Sequence, residues 1–395
     1  MRLLAREDLA GRGNGGEGLG LRAANGRRFL YVAHESAPIN FSVVDVTDPR
    51  RPRMVAQVEL PHVRVRSNSL SVYGDLLLVA YQVQDKGGVP AGIGLFDISR
   101  PQEPSSVGTF DTAGPQSRGA HFVWCQDGRH AYLSTGMPDF EPAHPDDDQI
   151  VVIVDVSDPS RPEETGRWWL PGTRVGDPAP APERHSRWDM GFRAHNINVY
   201  PERPDRAYVG YLDGGLVILD ISDLARPRMV SRLDYHPPMP GFTHTVLPLF
   251  GRGLLAVTDE ALRDACEDAP KNLWIVEASD EEHPLIVAAA PLPPAGEFCG
   301  RGGRFGAHNL HENDPVETAW RSEDVVVGTF FNGGVRAFDV RDPFRPEEVG
   351  HLVPPAPVGS PAGAIQMNDV YVDERGVAYA VDRFAGGLYV IELDL

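Results

Sequence analysis

A strand-like run ending in one phrase recurs seven times along this chain. Val43–Pro49 reads VVDVTDP, Ile93–Ser99 IGLFDIS, Val151–Pro159 VVIVDVSDP and Leu216–Asp223 LVILDISD. Leu273–Asp280 reads LWIVEASD, Val335–Pro343 VRAFDVRDP and Gly387–Leu395 GLYVIELDL. The spacing is roughly 50 to 65 residues, the range in which each repeat makes one small antiparallel sheet of a radial array. Seven such sheets close into a ring around a central channel. The predicted fold is therefore all-β, a seven-bladed β-propeller, with residues 1–395 as one domain. Any residue fixed at one point of the repeat then recurs around one axis.

Within the fourth repeat, residues 194–200 (AHNINVY) alternate as a first strand, PERPD turns, and residues 206–212 (RAYVGYL) make a second. Asp213–Gly215 is a tight hairpin turn. LVILDI is a β-branched third strand, and RMVSRLDY a fourth. The seventh repeat stops at its third strand. RLLAREDL (residues 2–9) resembles fourth-strand text, so the N-terminus is predicted to close the ring by pairing with the C-terminal blade, hiding two sheet edges. The repeated Asp and Ser after each third strand read as turn residues that bond local backbone, not as catalytic groups.

These phrases, VVIVDVSDP and LVILDISD above all, resemble the LVIVD repeat family, which implies β-propeller architecture over nearly the whole chain and says little about chemistry. Composition excludes some functions. A formal net charge of −19 with no basic run argues against nucleic-acid binding. No stretch approaches the ~20 apolar residues of a membrane span, and the charged N-terminus lacks a signal core. The expected location is cytoplasmic. Three cysteines, Cys125, Cys266 and Cys299, without CxxC spacing argue against a disulfide framework or a cysteine zinc site; whether Cys266 and Cys299 pair is left open. GRGNGGEGLG (residues 11–20) lacks the Lys-Ser/Thr ending of a phosphate loop, and no GxSxG elbow occurs.

Aligned first strands share a histidine. The third begins GAHFVW, the fourth RAHNIN, the fifth FTHTVL and the sixth GAHNLH, which places His121, His195, His244 and His308 at one repeat position. Asn68 and Asn368 hold it in the second and seventh repeats, and Glu17 is the nearest polar candidate in the degenerate first. First strands line a propeller's channel, so four imidazoles converge near one mouth, an arrangement suited to a transition metal. The competing reading makes each histidine a core residue satisfied by neighbouring backbone. With no aligned cysteine or carboxylate, iron(II) is the first expectation, with manganese, copper and zinc as alternatives. By arrangement alone, four axial histidines resemble the iron centre of carotenoid cleavage oxygenases, whose sequence motifs the chain lacks.

Asp259 and Glu260 end a second strand beside His244 and are candidate catalytic residues, to orient a ligand or act as a base. His311 is grouped with the channel residues Asn68, Asn368 and Glu17, although its side chain falls on the opposite strand face from His308. His34 and Glu35 end another second strand towards the same mouth. Trp188, Phe192, Phe242, Phe298 and Phe305 lie in long loops suited to walling an apolar pocket. The expectation is a mononuclear non-haem metalloenzyme that oxidises or cleaves a small organic substrate with dioxygen. The alternatives are a metal-dependent hydrolase or lyase and a non-catalytic interaction scaffold.

Overall fold

The computed structural model describes residues 1–395, the side chain of residue 295 excepted. Seven sheets follow one another around a ring: residues 15–59, 65–111, 120–168, 197–233, 243–289, 325–352 and 367–392, here blades 1 to 7. The sixth has three regular strands; its channel-side segment touches the sheet through a single bridge, Leu310 to Gly328. In blade 7 the fourth strand is Arg2–Glu7, antiparallel to Leu388–Glu392, with Arg2 opposite Glu392 and Glu7 opposite Leu388. The closure expected from the sequence is thus present, and it leaves no unpaired edge on that third strand.

Each blade is sandwiched between two others, so its middle strands are covered on both faces. That is why the repeat reads as an unbroken apolar run instead of alternating: Ile150 to Val154 are all fully buried. Burying such a side chain contributes about 1.5–3 kcal/mol. Outer strands such as Ser105–Asp111 are largely exposed and alternate in composition. In blades 1 to 6 the carboxylate ending the third strand makes the turn beyond it. Asp155 Oδ1 accepts from the Ser157 amide at 2.8 Å, Asp97 from Ser99 at 2.7 Å and Asp220 from Ser222 at 2.9 Å.

First strands of blades 1 to 5 touch in succession around the axis, and the first strand of blade 1 touches that of blade 7. In the fourth blade the turn is shorter than the sequence suggested, for the second strand begins at Arg203, paired with Tyr200. The larger departure concerns cysteine. Cys266 and Cys299 are disulfide-bonded with Cα atoms 5.3 Å apart, and Cys125 is buried and free. Spacing in sequence carried no sign of this pair, because one cysteine lies in the link between the second and third strands of blade 5 and the other in the loop after its fourth strand, which only folding brings together.

Candidate metal centre

The site begins with how closely the strands approach. Gly210, in the second strand of blade 4, lies so near the His244 carbonyl that an added Cβ would come within 2.0 Å of that oxygen. The His195 amide donates to the Gly210 carbonyl at 2.8 Å. Glycine there lets two histidine-bearing segments lie side by side. The Gly-rich strand of blade 1 does the same for Glu17: a Cβ at Gly18 would come within 2.3 Å of the Leu70 amide nitrogen, and one at Gly16 within 2.9 Å of the Asn68 carbonyl. Those glycines thin the strand against blade 2, and Glu17 projects between them.

The four ring histidines form a continuous arc. Centroids of His121 and His195 are 4.2 Å apart, His195 and His244 3.9 Å, and His244 and His308 4.6 Å. His121 Nε2 and His195 Nε2 are 2.7 Å apart. Glu17 closes the arc, its carboxylate oxygens 3.5 Å from His121 Nε2, 3.6 Å from His244 Nε2 and 3.8 Å from His308 Nε2. Two donors bound cis to one ion at about 2.1 Å stand roughly 3.0–3.4 Å apart, so a small contraction around an ion would join these atoms. Glu17, His121 and His195 offer donor atoms within 4.8 Å of one another, as do Glu17, His244 and His308. The expectation of a carboxylate-free ring is therefore corrected: the degenerate first repeat supplies a central glutamate, and the likeness to a purely four-histidine centre stops there.

Outward nitrogens fix the rings. His121 Nδ1 donates to Gln82 Oε1 at 3.1 Å and His195 Nδ1 to Asn196 Oδ1 at 2.9 Å. His244 Nδ1 lies 2.8 Å from Thr245 Oγ1. The amide oxygens behind His121 and His195 accept from Nδ1–H, and the Thr245 hydroxyl can accept from His244 Nδ1–H in the same way, so an ion at the centre would meet Nε2 lone pairs. Nε2 of His244 and both nitrogens of His308 are buried without a hydrogen-bond partner. Buried polar atoms are nearly always satisfied, so the orphaned Nε2 atoms of His244 and His308, 3.6 Å and 3.8 Å from the Glu17 carboxylate, fit a ligand set. They do not fit the core-histidine reading, which requires main-chain partners. Burial holds His195 and His308 well below the ordinary histidine value and lowers His121 despite Glu17. For Glu17, burial pushes upward, but hydrogen bonds from His121 and His244 and the charge of His121 and His308 outweigh it and hold the carboxyl well below its ordinary value.

Three arginines, unremarked in the sequence, balance the carboxylates at this mouth. Arg383 Nη1 lies 3.4 Å from Glu17 and 3.3 Å from Glu35, and donates to Asn368 Oδ1 at 2.9 Å. Arg304 pairs with Glu260 at 2.9 Å, and Arg66 pairs with Glu35. Asn68 donates to the His121 carbonyl at 3.0 Å. Both channel asparagines thus stand at the ring's edge as expected. Glu260 reaches to 3.6 Å from His308 Nε2; burial raises its carboxyl value against the pull of Arg304. A strand-end arginine facing a glutamate was too common a pattern to mark these partners in advance.

Several candidates fall elsewhere. Asp259 accepts from Tyr235 Oη and from Trp274 Nε1, both at 2.7 Å, so it is a blade-5 core acceptor and not a base at the ring. His311 does not line the channel: its Nε2 donates to the Trp320 carbonyl at 2.6 Å and its Nδ1 accepts from the Val372 amide. His34 turns inward, with Nε2 2.7 Å from Ser42 Oγ. Of the five loop aromatics only Phe242 flanks a ring histidine, 6.0 Å from His195; Phe298 and Phe305 stack on each other. Phe331, not anticipated, stacks on His308 at 4.4 Å.

The fold and the repeat agree with the comparisons. The chain carries LVIVD repeats: the model of that repeat matches residues 146–168 and 203–234. No curated protein matches the sequence. Among solved structures, the Cps50 (Swd1) β-propeller domain of Myceliophteria thermophila is similar at 14% identity and a TM-score of 0.59, over 99% of each chain. A protein from Lactobacillus plantarum is similar at 12% identity and a TM-score of 0.56, over 86% of this chain and 84% of its own. At such identities the likeness is one of fold. The class is a seven-bladed, LVIVD-repeat β-propeller with a buried His/Glu cluster on its axis.

Proposed function

We propose that the protein is a mononuclear non-haem metalloenzyme of the oxidoreductase class. His121, His195, His244 and His308 would hold the ion with Glu17 as the fifth donor. The observation that carries this reading is the set of inward Nε2 atoms, tethered from behind by Gln82, Asn196 and Thr245 and converging on one ionised carboxylate. Imidazoles with a single carboxylate suit iron(II) first, then manganese, copper or zinc, and such an ion supplies redox or Lewis-acid chemistry.

The chain's own residues set the rest. Arg383 and Arg304 hold Glu17 and Glu260 in place, and Glu260 is the group placed to move a proton beside His308. His244 and His308 are completely covered. The cavity adjoining Glu17 measures about 40 Å³, room for roughly three waters. Dioxygen and water fit that cavity on the far side of Glu17, which none of the four histidines lines. Glu260 also favours a second reading, hydrolysis or elimination with that carboxylate as base.

Metal analysis of the purified chain is the test. One equivalent of transition metal is expected, lost in His195→Ala and His308→Ala with the β-sheet circular dichroism retained. Global unfolding of both variants, or no metal uptake by the parent on titration, overturns the proposal in favour of a core-histidine scaffold. Oxygen consumption with candidate substrates separates oxidation from hydrolysis.

A further inference from the structure

A separate hollow lies where the outer strand of blade 6 meets the link that follows blade 5. It measures about 680 Å³, within the roughly 300–1,000 Å³ of small-molecule sites. Pro291, Pro293 and Pro294 of that link line it, as do Leu352 and Val353 at the end of the outer strand, and Arg336 joins them. None of the ring histidines does. The link is pinned where Phe298 enters the hollow: Asn332 Nδ2 donates to the Phe298 carbonyl at 3.0 Å and to that of Gly302 at 2.9 Å, and the adjacent Cys299 is bonded to Cys266.

By the logic of the repeat, Arg336 is out of place. It stands three residues before the carboxylate that ends the third strand, where blades 3, 4, 5 and 7 have Val152, Val217, Trp274 and Tyr389. Its side chain is only 2% exposed. Among the described residues the guanidinium makes one hydrogen bond, from Nη1 to Glu348 Oε2 at 2.6 Å, and Nε is buried without a partner. Glu348 has no second bond to give, since its Oε1 is held 2.6 Å from His351 Nδ1. Phe298 and Phe330 have ring centroids 5.3 Å and 6.0 Å from Cζ. Such rings attract the charge, yet they leave Nε unbonded. A buried guanidinium is costly unless it is paired and fully hydrogen-bonded. The edge left free, Nε with Nη2, is the one this chain uses to grip carboxylates. Arg118 holds Asp148 by those two atoms at 2.7 and 2.8 Å, and Arg184 holds Asp189 by the same two, both at 2.7 Å.

We propose that this hollow binds a small monocarboxylic acid with an apolar body, its carboxylate gripped by the Nε/Nη2 edge of Arg336 and its body laid against the prolines and Leu352. The pairing completes the fork that Glu348 leaves half used. One negative charge suits the site better than the two of a phosphate. Glu348 and Glu297 both line the hollow, and Arg301 is already paired with Glu297 at 3.4 Å, so further charge meets repulsion.

The experiment is a calorimetric titration of the full chain with benzoate and with hexanoate, benzamide serving as the uncharged control. Each acid is expected to bind at one equivalent, and benzamide about tenfold or more weaker. Arg336→Gln should weaken both acids about tenfold or more. Glu348→Gln removes the competing carboxylate and should tighten them about two- to fivefold. His195→Ala should bind both as the parent does, which separates this hollow from the histidine centre. The proposal is overturned if neither acid binds by about 10 mM, or if benzamide matches benzoate. Parental affinity in an Arg336→Gln variant with parental circular dichroism overturns it too. Should that variant fail to fold, Glu348→Gln decides: affinity unchanged or weakened overturns the proposal, because a purely structural pair of Arg336 and Glu348 gives the free edge no role.

Discussion

Thr245→Val tests the metal centre with the least disturbance. Thr245 is fully buried, and its hydroxyl, 2.8 Å from His244 Nδ1, is the only hydrogen-bond partner of that ring among the described residues. Valine keeps the shape and removes the oxygen. In a metal-bound ring the proton must stay on Nδ1, so the variant buries an unsatisfied N–H, at about 1–3 kcal/mol. In the metal-free chain the proton can move to Nε2, which faces Glu17 at 3.6 Å, so the cost falls on the bound state alone. Affinity should therefore drop roughly 10- to 100-fold, or about 1.4–2.7 kcal/mol, the range found when an outer partner of a ligand histidine is lost. Asn196 Nδ2, 3.3 Å from the same hydroxyl, keeps its shorter bond to Glu312, so the fold should hold. Competition against a chromophoric chelator at pH 7.5 measures the effect. Affinity within about twofold of the parent, with unchanged circular dichroism, refutes the claim that Nδ1 tethers fix inward donors.

Two further outcomes follow from the fold. Cys266 and Cys299 are 33 residues apart, and chain-entropy arguments give about 4 kcal/mol for a loop of that size. Cys266→Ser should lower the melting temperature, and thiol titration of the unfolded, unreduced parent should find one free cysteine, Cys125; three would refute the pairing. Burial lowers His34 and His311 to about 4. In the unfolded chain each takes up its proton near 6.5, so stability present above that pH is lost as pH falls towards 4, by about 3 kcal/mol per histidine. His34→Gln and His311→Gln should each flatten the acid limb of a denaturation-against-pH series, and limbs that overlay the parent's would refute the assignment.

The repeat made the architecture legible because a blade is a local object. Its apolar third strand, its Asp-Ser turn and its hairpins lie within about 50 consecutive residues, and stacking on both sides demands the continuous apolar run that VVIVD displays. The histidines were legible for the same reason: one repeat position maps to one place on the axis. Glu17 was only half visible, since its repeat is degenerate and its glycines carried no meaning until a neighbouring strand was seen pressed against them.

The chain's order of residues by itself determined seven sheets, their closure through the N-terminal strand, and four imidazoles around an axis, because periodicity turns directly into rotational symmetry. Tertiary structure alone decided that Glu17 enters the ring, that Asp259 and His311 leave it for blade cores, that Arg66, Arg304 and Arg383 neutralise its mouth, and that Cys266 meets Cys299. Most of those contacts join residues from different blades or from irregular loops, where no repeat relates one partner to the other and only the folded chain brings them within reach.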